Sequence, residues 1–143
     1  MPAQLIAIGQ IRTPFLRLDQ CPRNIQPDGP QCQLQLNPPY WDELRGLKPG
    51  QLILILYWLG AARPEVGHAK AQQVRWQRSE SDSDPHGVFS LRTPIRPNPI
   101  GAAVVPIDRI DEGCITVIGL DCLDGTVLLD IKPAIYRETG STA

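Results

Sequence analysis

Four stretches of the sequence hold the residues best suited to chemistry. Residues 92–101, RTPIRPNPIG, carry Arg92, Arg96 and Asn98 on a connection that includes Pro94, Pro97 and Pro99. Proline fixes its own φ and pushes the preceding residue toward extended geometry, so this connection is stiff. A stiff arm loses little freedom when a ligand binds, and its side chains are held ready for one. A proline-rich corner with solvated arginines fits the same string. In residues 120–133, LDCLDGTVLLDIKP, the turn Asp124-Gly125-Thr126 can offer backbone N–H groups and a hydroxyl to an adenine edge or a ribose. Asp-Gly is equally a common hairpin signal, and Asp130 with Lys132 on one strand face makes an ordinary surface ion pair.

The third stretch, residues 19–27 (DQCPRNIQP), sets Arg23 and Asn24 behind Pro22 in a polar loop that solvent alone would also suit. In the fourth, residues 62–78, Arg63, Lys70, Arg75 and Arg78 are interleaved with Trp76. Positive charge for phosphate and a ring for base stacking are what a single-stranded RNA contact needs, and a solvated strand edge explains them as well.

Other chemistries lack their residues. The chain has no GxSxG, HExxH or P-loop string, and no strand followed by GxGxxG and a helix. Its cysteines, Cys21, Cys32, Cys114 and Cys122, form no CxxC pair, and neither His68 nor His86 stands at a zinc-finger spacing from them, so no metal is expected. Thiols are favoured over bridges. A formal charge of -1 advertises no global affinity for polyanions, so a nucleic-acid partner must be met by a local patch. Reactions without these groups are those in which a cofactor brings the reactivity.

The elements that must position these stretches read as β structure. Fifteen prolines and twelve glycines are spread along the 143 residues and punctuate short elements instead of marking one linker. Strands are expected at 4–11, 31–36, 51–59, 73–78, 87–91, 102–110, 114–120 and 127–132. Residues 31–36, QCQLQL, alternate as a strand with one wet face. LILILYWL, residues 52–59, is apolar throughout, so both of its faces are expected to be covered, the outer one by neighbouring structure or by a partner subunit. One short helix is expected in NPPYWDELRGL, capped by Asn37 with Pro38 at its first position. Turns fall at Glu112-Gly113 and Asp124-Gly125. The expected fold is all-β: a closed antiparallel barrel of six to eight strands with one short helix, spanning residues 1–143 as one domain. Its ordered core is expected at about residues 3–136, with a mobile loop at 79–85 and no C-terminal RNA-binding domain. No apolar run is long enough to span a bilayer and the start of the chain does not read as a signal segment, so no membrane partner is expected and the cytoplasm is the expected compartment.

The order IGQIRTPF, PRN, NPPYWDELRGL, GVFSLRTPIRPNPIG and LDCLDGTVLLDIKP resembles the TsaA-like β-barrel family, over residues 4–133. Its characterised members are TrmO-type tRNA methyltransferases. The resemblance implies a homodimer that uses S-adenosylmethionine, bound near the subunit interface, to methylate the exocyclic amine of threonylcarbamoyl-modified adenosine just 3′ of the tRNA anticodon. It places the cofactor against Pro22, Arg23, Asn24, Arg92, Ala102 and the turn Leu123, Asp124, Gly125, Thr126. It makes Arg96, Asn98 and Lys132 supports of the cofactor loop or contacts to substrate. An amine conjugated to an adenine ring is a weak nucleophile that a base would assist, and Asp124 is the carboxylate nearest to hand. RNA contacts would come from Arg63, Lys70, Arg75, Trp76 and Arg78. The chain departs from the family at Asn24, where glutamine is usual, at Leu59-Gly60 in place of His-Gln, and at Ala134 in place of an aromatic. Those departures keep a second expectation open: a non-catalytic barrel that binds S-adenosylmethionine or a nucleotide as a sensor or interaction module.

Overall fold

The computed structural model describes residues 3–60 and 87–135. Among the described residues there are six strands: β1 (Gly9–Arg12), β2 (Gln31–Leu36), β3 (Leu52–Trp58), β4 (Ile100–Asp111), β5 (Cys114–Ile118) and β6 (Thr126–Pro133). They close into an antiparallel barrel in the order β1-β2-β5-β4-β3-β6, which leaves no strand edge unpaired. Contacts along the chain divide it into two compact units, Met1–Tyr57 with Ala102–Ala143, and Trp58–Gly101.

Alternation builds the barrel interior. β2 buries Cys32, Leu34 and Leu36 while its glutamines face out, and β3 buries Ile53, Ile55 and Tyr57. Ile11, Val105, Ile107, Ile115, Val117 and Leu128 complete a core from which water is excluded. Each such aliphatic side chain stabilises the fold by roughly 1.5–3 kcal/mol. On the outer face of β3, Leu54 and Leu56 are half-buried and Leu52 is exposed.

Three expectations change. Residues 87–91 form no strand: Val88–Ser90 is a 3-10 turn in which both the amide and the hydroxyl of Ser90 donate to the Gly87 carbonyl, a local pairing that competes with a ladder. Of the segment 4–11 only the last residues join a strand. The expected short helix is present as the 3-10 stretch Pro38–Leu44, but its Asn37 side chain caps nothing and instead donates to the Ala7 carbonyl at 3.4 Å. Two successive prolines contribute no N–H to a helical ladder. The expected strand at 73–78 and loop at 79–85 lie outside the described residues.

The registers sort the connections by end. Ile11 is opposite Thr126 and Gln31 is opposite Ile118, so the β1–β2 and β5–β6 connections share one end of the barrel. The β2–β3 connection and the β4–β5 turn share the other, where Trp41 donates from Nε1 to the Leu36 carbonyl at 2.7 Å.

Candidate functional site

At the first end, residues 119–125 lie across the barrel mouth like a strap, and each anchor has a physical cause. Gly119 has φ +85, and a Cβ there would strike the carbonyl oxygen of Gln26, so only glycine lets the two backbones approach. The Gln26 amide donates to the Gly119 carbonyl at 2.8 Å, and the Gly119 amide to that of Pro30 at 2.8 Å. These bonds tie the strap to the loop that contains Pro22, Arg23 and Asn24. That loop begins with the 3-10 turn Leu18–Gln20, whose Gln20 side chain accepts from the Leu16 and Arg17 amides. Arg23 and Asn24 are exposed and Pro22 is half-buried.

Further along, the strap alternates. Leu120 and Cys122 are buried and plug the barrel, while Asp121 between them is half-buried. The Cys122 carbonyl accepts from the Thr13 hydroxyl at 2.9 Å. Asp124 then holds the chain leaving β1: its Oδ1 accepts from the Thr13 amide at 3.0 Å and pairs with Arg12 Nε at 3.0 Å, while its own amide donates to the Phe15 carbonyl at 2.8 Å.

The turn at 124–126 differs from the hairpin that Asp-Gly suggested. β5 neighbours β2 and β4 whereas β6 neighbours β1 and β3, so the turn joins strands that do not pair. Nor does it present N–H groups. The Asp124 and Gly125 amides are consumed by the Phe15 and Ile11 carbonyls, and the Thr126 amide and hydroxyl both donate to the Leu123 carbonyl, at 3.2 and 2.6 Å. What the turn leaves exposed is oxygen acceptors and an open face: Gly125 has φ +84 and nothing within 4 Å of where a Cβ would stand.

Tyr57 escaped the sequence reading, and Asp121 figured in it only as one acid of the 120–133 stretch. Tyr57, inward-facing on β3 and 4% exposed, donates from its hydroxyl to Asp121 Oδ1 at 3.2 Å. A tyrosine among buried isoleucines needs a partner for its hydroxyl, which was the signal available. The Cys21 thiol, at the start of the Pro22–Asn24 loop, is pushed up by burial first and then by the charge of Asp121 and of Asp19. Burial pushes the Cys122 thiol up to about 12, so no thiolate is available here near neutral pH. All four cysteines are free.

The remaining candidates are placed as follows. Ala102 stands near the start of β4, half-buried, between the inward Gly101 and Ala103. In the unit Trp58–Gly101, Arg92 is exposed and Asn98 is exposed with its carbonyl accepting from the Ile100 amide. Arg96 does not reach outward: Nη1 donates to the Leu91 and Thr93 carbonyls at 3.1 and 2.8 Å, fastening its own loop. Lys132 pairs with Asp130 at 2.7 Å near the far end of β6, six residues from Thr126 and so about 20 Å away. Arg63, Lys70, Arg75, Trp76 and Arg78 lie outside the described residues.

With the geometry in place, comparison with known proteins decides the family. Residues 10–138 match the model of the tRNA-methyltransferase O N-terminal domain. The chain belongs to the TrmO family. It is 41% identical over 131 residues to a probable S-adenosyl-L-methionine-binding protein, VirR, of Rhizobium radiobacter, covering 92% of this chain and 70% of that one. A 49-residue segment is 47% identical to the mouse tRNA (adenine(37)-N6)-methyltransferase, covering 34% of this chain and 11% of the mouse protein. Among solved structures, TrmO from Pseudomonas aeruginosa superposes with a TM-score of 0.75 at 29% identity, over 99% of this chain and 60% of that one. The chain thus spans little more than half of that TrmO, and the shared part is the TrmO-family barrel.

Proposed function

We propose that this protein is an S-adenosylmethionine-dependent methyltransferase that acts on the exocyclic amine of threonylcarbamoyl-modified adenosine beside the tRNA anticodon. The observation that carries the reading is the TrmO-family match over residues 10–138, joined to the fact that the 22–24 loop and the 123–126 turn are tied by backbone bonds to one strap at one end of the barrel. The donor set fits the cofactor. Arg23 is an exposed guanidinium for the methionyl carboxylate, and the oxygen acceptors and open face at Gly125 suit a nucleoside edge. When bound, S-adenosylmethionine supplies an electrophilic methyl group on a sulfonium. The chain's own task is then to align donor and amine, and positioning of this kind accounts for much of an enzyme's acceleration.

Asp124 serves that task as a structural carboxylate. Its Oδ1 is committed to Arg12 and to the Thr13 amide, so it holds the turn in place and is poorly disposed to take a proton from an amine. Arg96 supports the proline-rich loop, which leaves Arg92 as that loop's candidate for the cofactor. We read the outward row Leu52, Leu54 and Leu56 on β3 as the contact of a homodimer, and the segment 63–78 as the RNA contact.

The test uses methyl-labelled S-adenosylmethionine and total tRNA from a strain lacking the endogenous activity. Label in the modified adenosine next to the anticodon is the expected result. Cofactor binding without transfer would favour a non-catalytic binding module. No cofactor binding at all would overturn both readings. Arg92→Ala should abolish the cofactor-induced rise in Tm.

A further inference from the structure

We propose that Asp121, oriented by the Tyr57 hydroxyl, is the acceptor for the ribose hydroxyls of the bound nucleoside, an inference that rests on the cofactor reading above. The two carboxylates of the strap divide the work by their surroundings. Asp124 is turned toward β1, where it holds Arg12 and the Thr13 amide. Asp121 lies between buried Leu120 and Cys122 and is itself half-buried, with Oδ1 accepting from the Tyr57 hydroxyl at 3.2 Å. It comes two residues after Gly119, whose carbonyl accepts from Gln26 of the loop that holds Pro22, Arg23 and Asn24, and two residues before the turn that begins at Leu123. Both segments offered to the cofactor therefore flank it.

The Tyr57 bond indicates which part of the ligand Asp121 receives. A carboxylate that attracts a cation acts nearly as a point charge, and fixing its rotation adds little. One that accepts from two neighbouring hydroxyls must keep both acceptor directions aligned, because hydrogen bonds weaken steeply with angle. The Tyr57 ring is itself locked among Ile53, Ile55 and the other inward residues of the barrel, so its hydroxyl is a rigid reference point. Asp121 is then a binding residue and Tyr57 a positioning residue that acts through it.

Calorimetry with S-adenosylhomocysteine and its 2′,3′-dideoxy form tests this on the full chain. The wild type should bind the diol form more tightly than the dideoxy form. Asp121→Asn should weaken binding of the diol form by about tenfold to a hundredfold, the range of a hydrogen bond to a charged group, and leave the dideoxy form nearly unchanged. Tyr57→Phe should weaken the diol form by about fivefold, and the double variant should bind no more weakly than Asp121→Asn alone. If Asp121→Asn weakens both forms equally, or neither, the diol assignment is overturned while the cofactor reading stands. If the wild type binds neither S-adenosylhomocysteine nor S-adenosylmethionine, the cofactor reading itself falls. Should Asp121→Asn fail to fold, Tyr57→Phe decides: an altered Tm with unchanged preference for the diol form overturns the proposal.

Discussion

Both ends of the barrel are fastened by a glycine of positive φ lying under a neighbour, yet the neighbours differ in kind. At the strap end, Gly119 faces the backbone carbonyl of Gln26; at the opposite end, Gly113, φ +70, faces the indole of Trp41. The first is main chain against main chain, reinforced by amide bonds from Gln26 and Gly119. The second is main chain against a side chain that can rotate away, at the loss of the Trp41–Leu36 bond. The end that carries the candidate cofactor segments is the one whose glycine contact no rotamer change can relieve. Such a site is preorganised by the backbone, which suits a reaction whose rate depends on alignment.

Alanine at the two glycines puts that difference to the test. Gly119→Ala adds the strain of a left-handed residue to a clash that only backbone movement relieves, and should cost more than about 3 kcal/mol in urea unfolding. Gly113→Ala carries the same backbone strain, but the indole can swing out, so about 2 kcal/mol is expected. Equal losses, or a larger loss at Gly113, would mean that the two ends are fastened alike.

Asp124 gives the next largest effect. Asp124→Ala leaves the part-buried Thr13 amide without its acceptor and Arg12 without its partner, for roughly 2 kcal/mol. Asp124→Asn keeps one oxygen acceptor and removes mainly a half-exposed ion pair, for under about 1 kcal/mol. Its cofactor affinity and methyl transfer should stay near those of the wild type. An Asp124→Asn protein that is stable, binds S-adenosylmethionine and transfers no methyl group would make Asp124 the base after all.

The barrel was legible where side-chain alternation decides structure. Residues 31–36 form β2 with the expected faces, and 51–59 and 114–120 each lose only two end residues. Reading failed where local pairing competes with a ladder, as with the Ser90 hydroxyl at Gly87, and where a turn signal does not say which strands it joins, as at Asp124-Gly125. The candidate site was half legible. Family motifs pointed to Arg23 and to 123–126, but motif strings carry no hydrogen bonds, so neither the choice of Arg96 between loop support and substrate contact nor the commitment of Asp124 to Arg12 and Thr13 could be read from them. Tyr57 and Asp121 are far apart in sequence and meet only because the barrel closes.

The thiols sharpen the comparison between the two ends by a smaller margin. Burial raises the Cys122 thiol of the strap from its ordinary 9.0 to about 12, with the charges of Asp121 and Cys32 adding to the effect and a Thr126 hydrogen bond opposing it. The Cys114 thiol at the other end is also raised, by burial and then Asp111, against Arg109, but that residue is half-exposed. A group whose pKa is higher folded than unfolded contributes stability that is complete below its unfolded pKa and disappears as the pH climbs through the folded one. For Cys122 the window runs from pH 9 toward 12, because above pH 9 the unfolded chain releases a proton that the fold retains. By pH 10 the loss should be about 1.4 kcal/mol. Comparing urea midpoints at pH 8 and pH 10, Cys122→Ala should fall less than the wild type by about that amount, and Cys114→Ala should track the wild type more closely. If Cys122→Ala loses stability as steeply as the wild type, the thiol is not sealed by the strap, and the tight packing ascribed to this end is wrong at its centre.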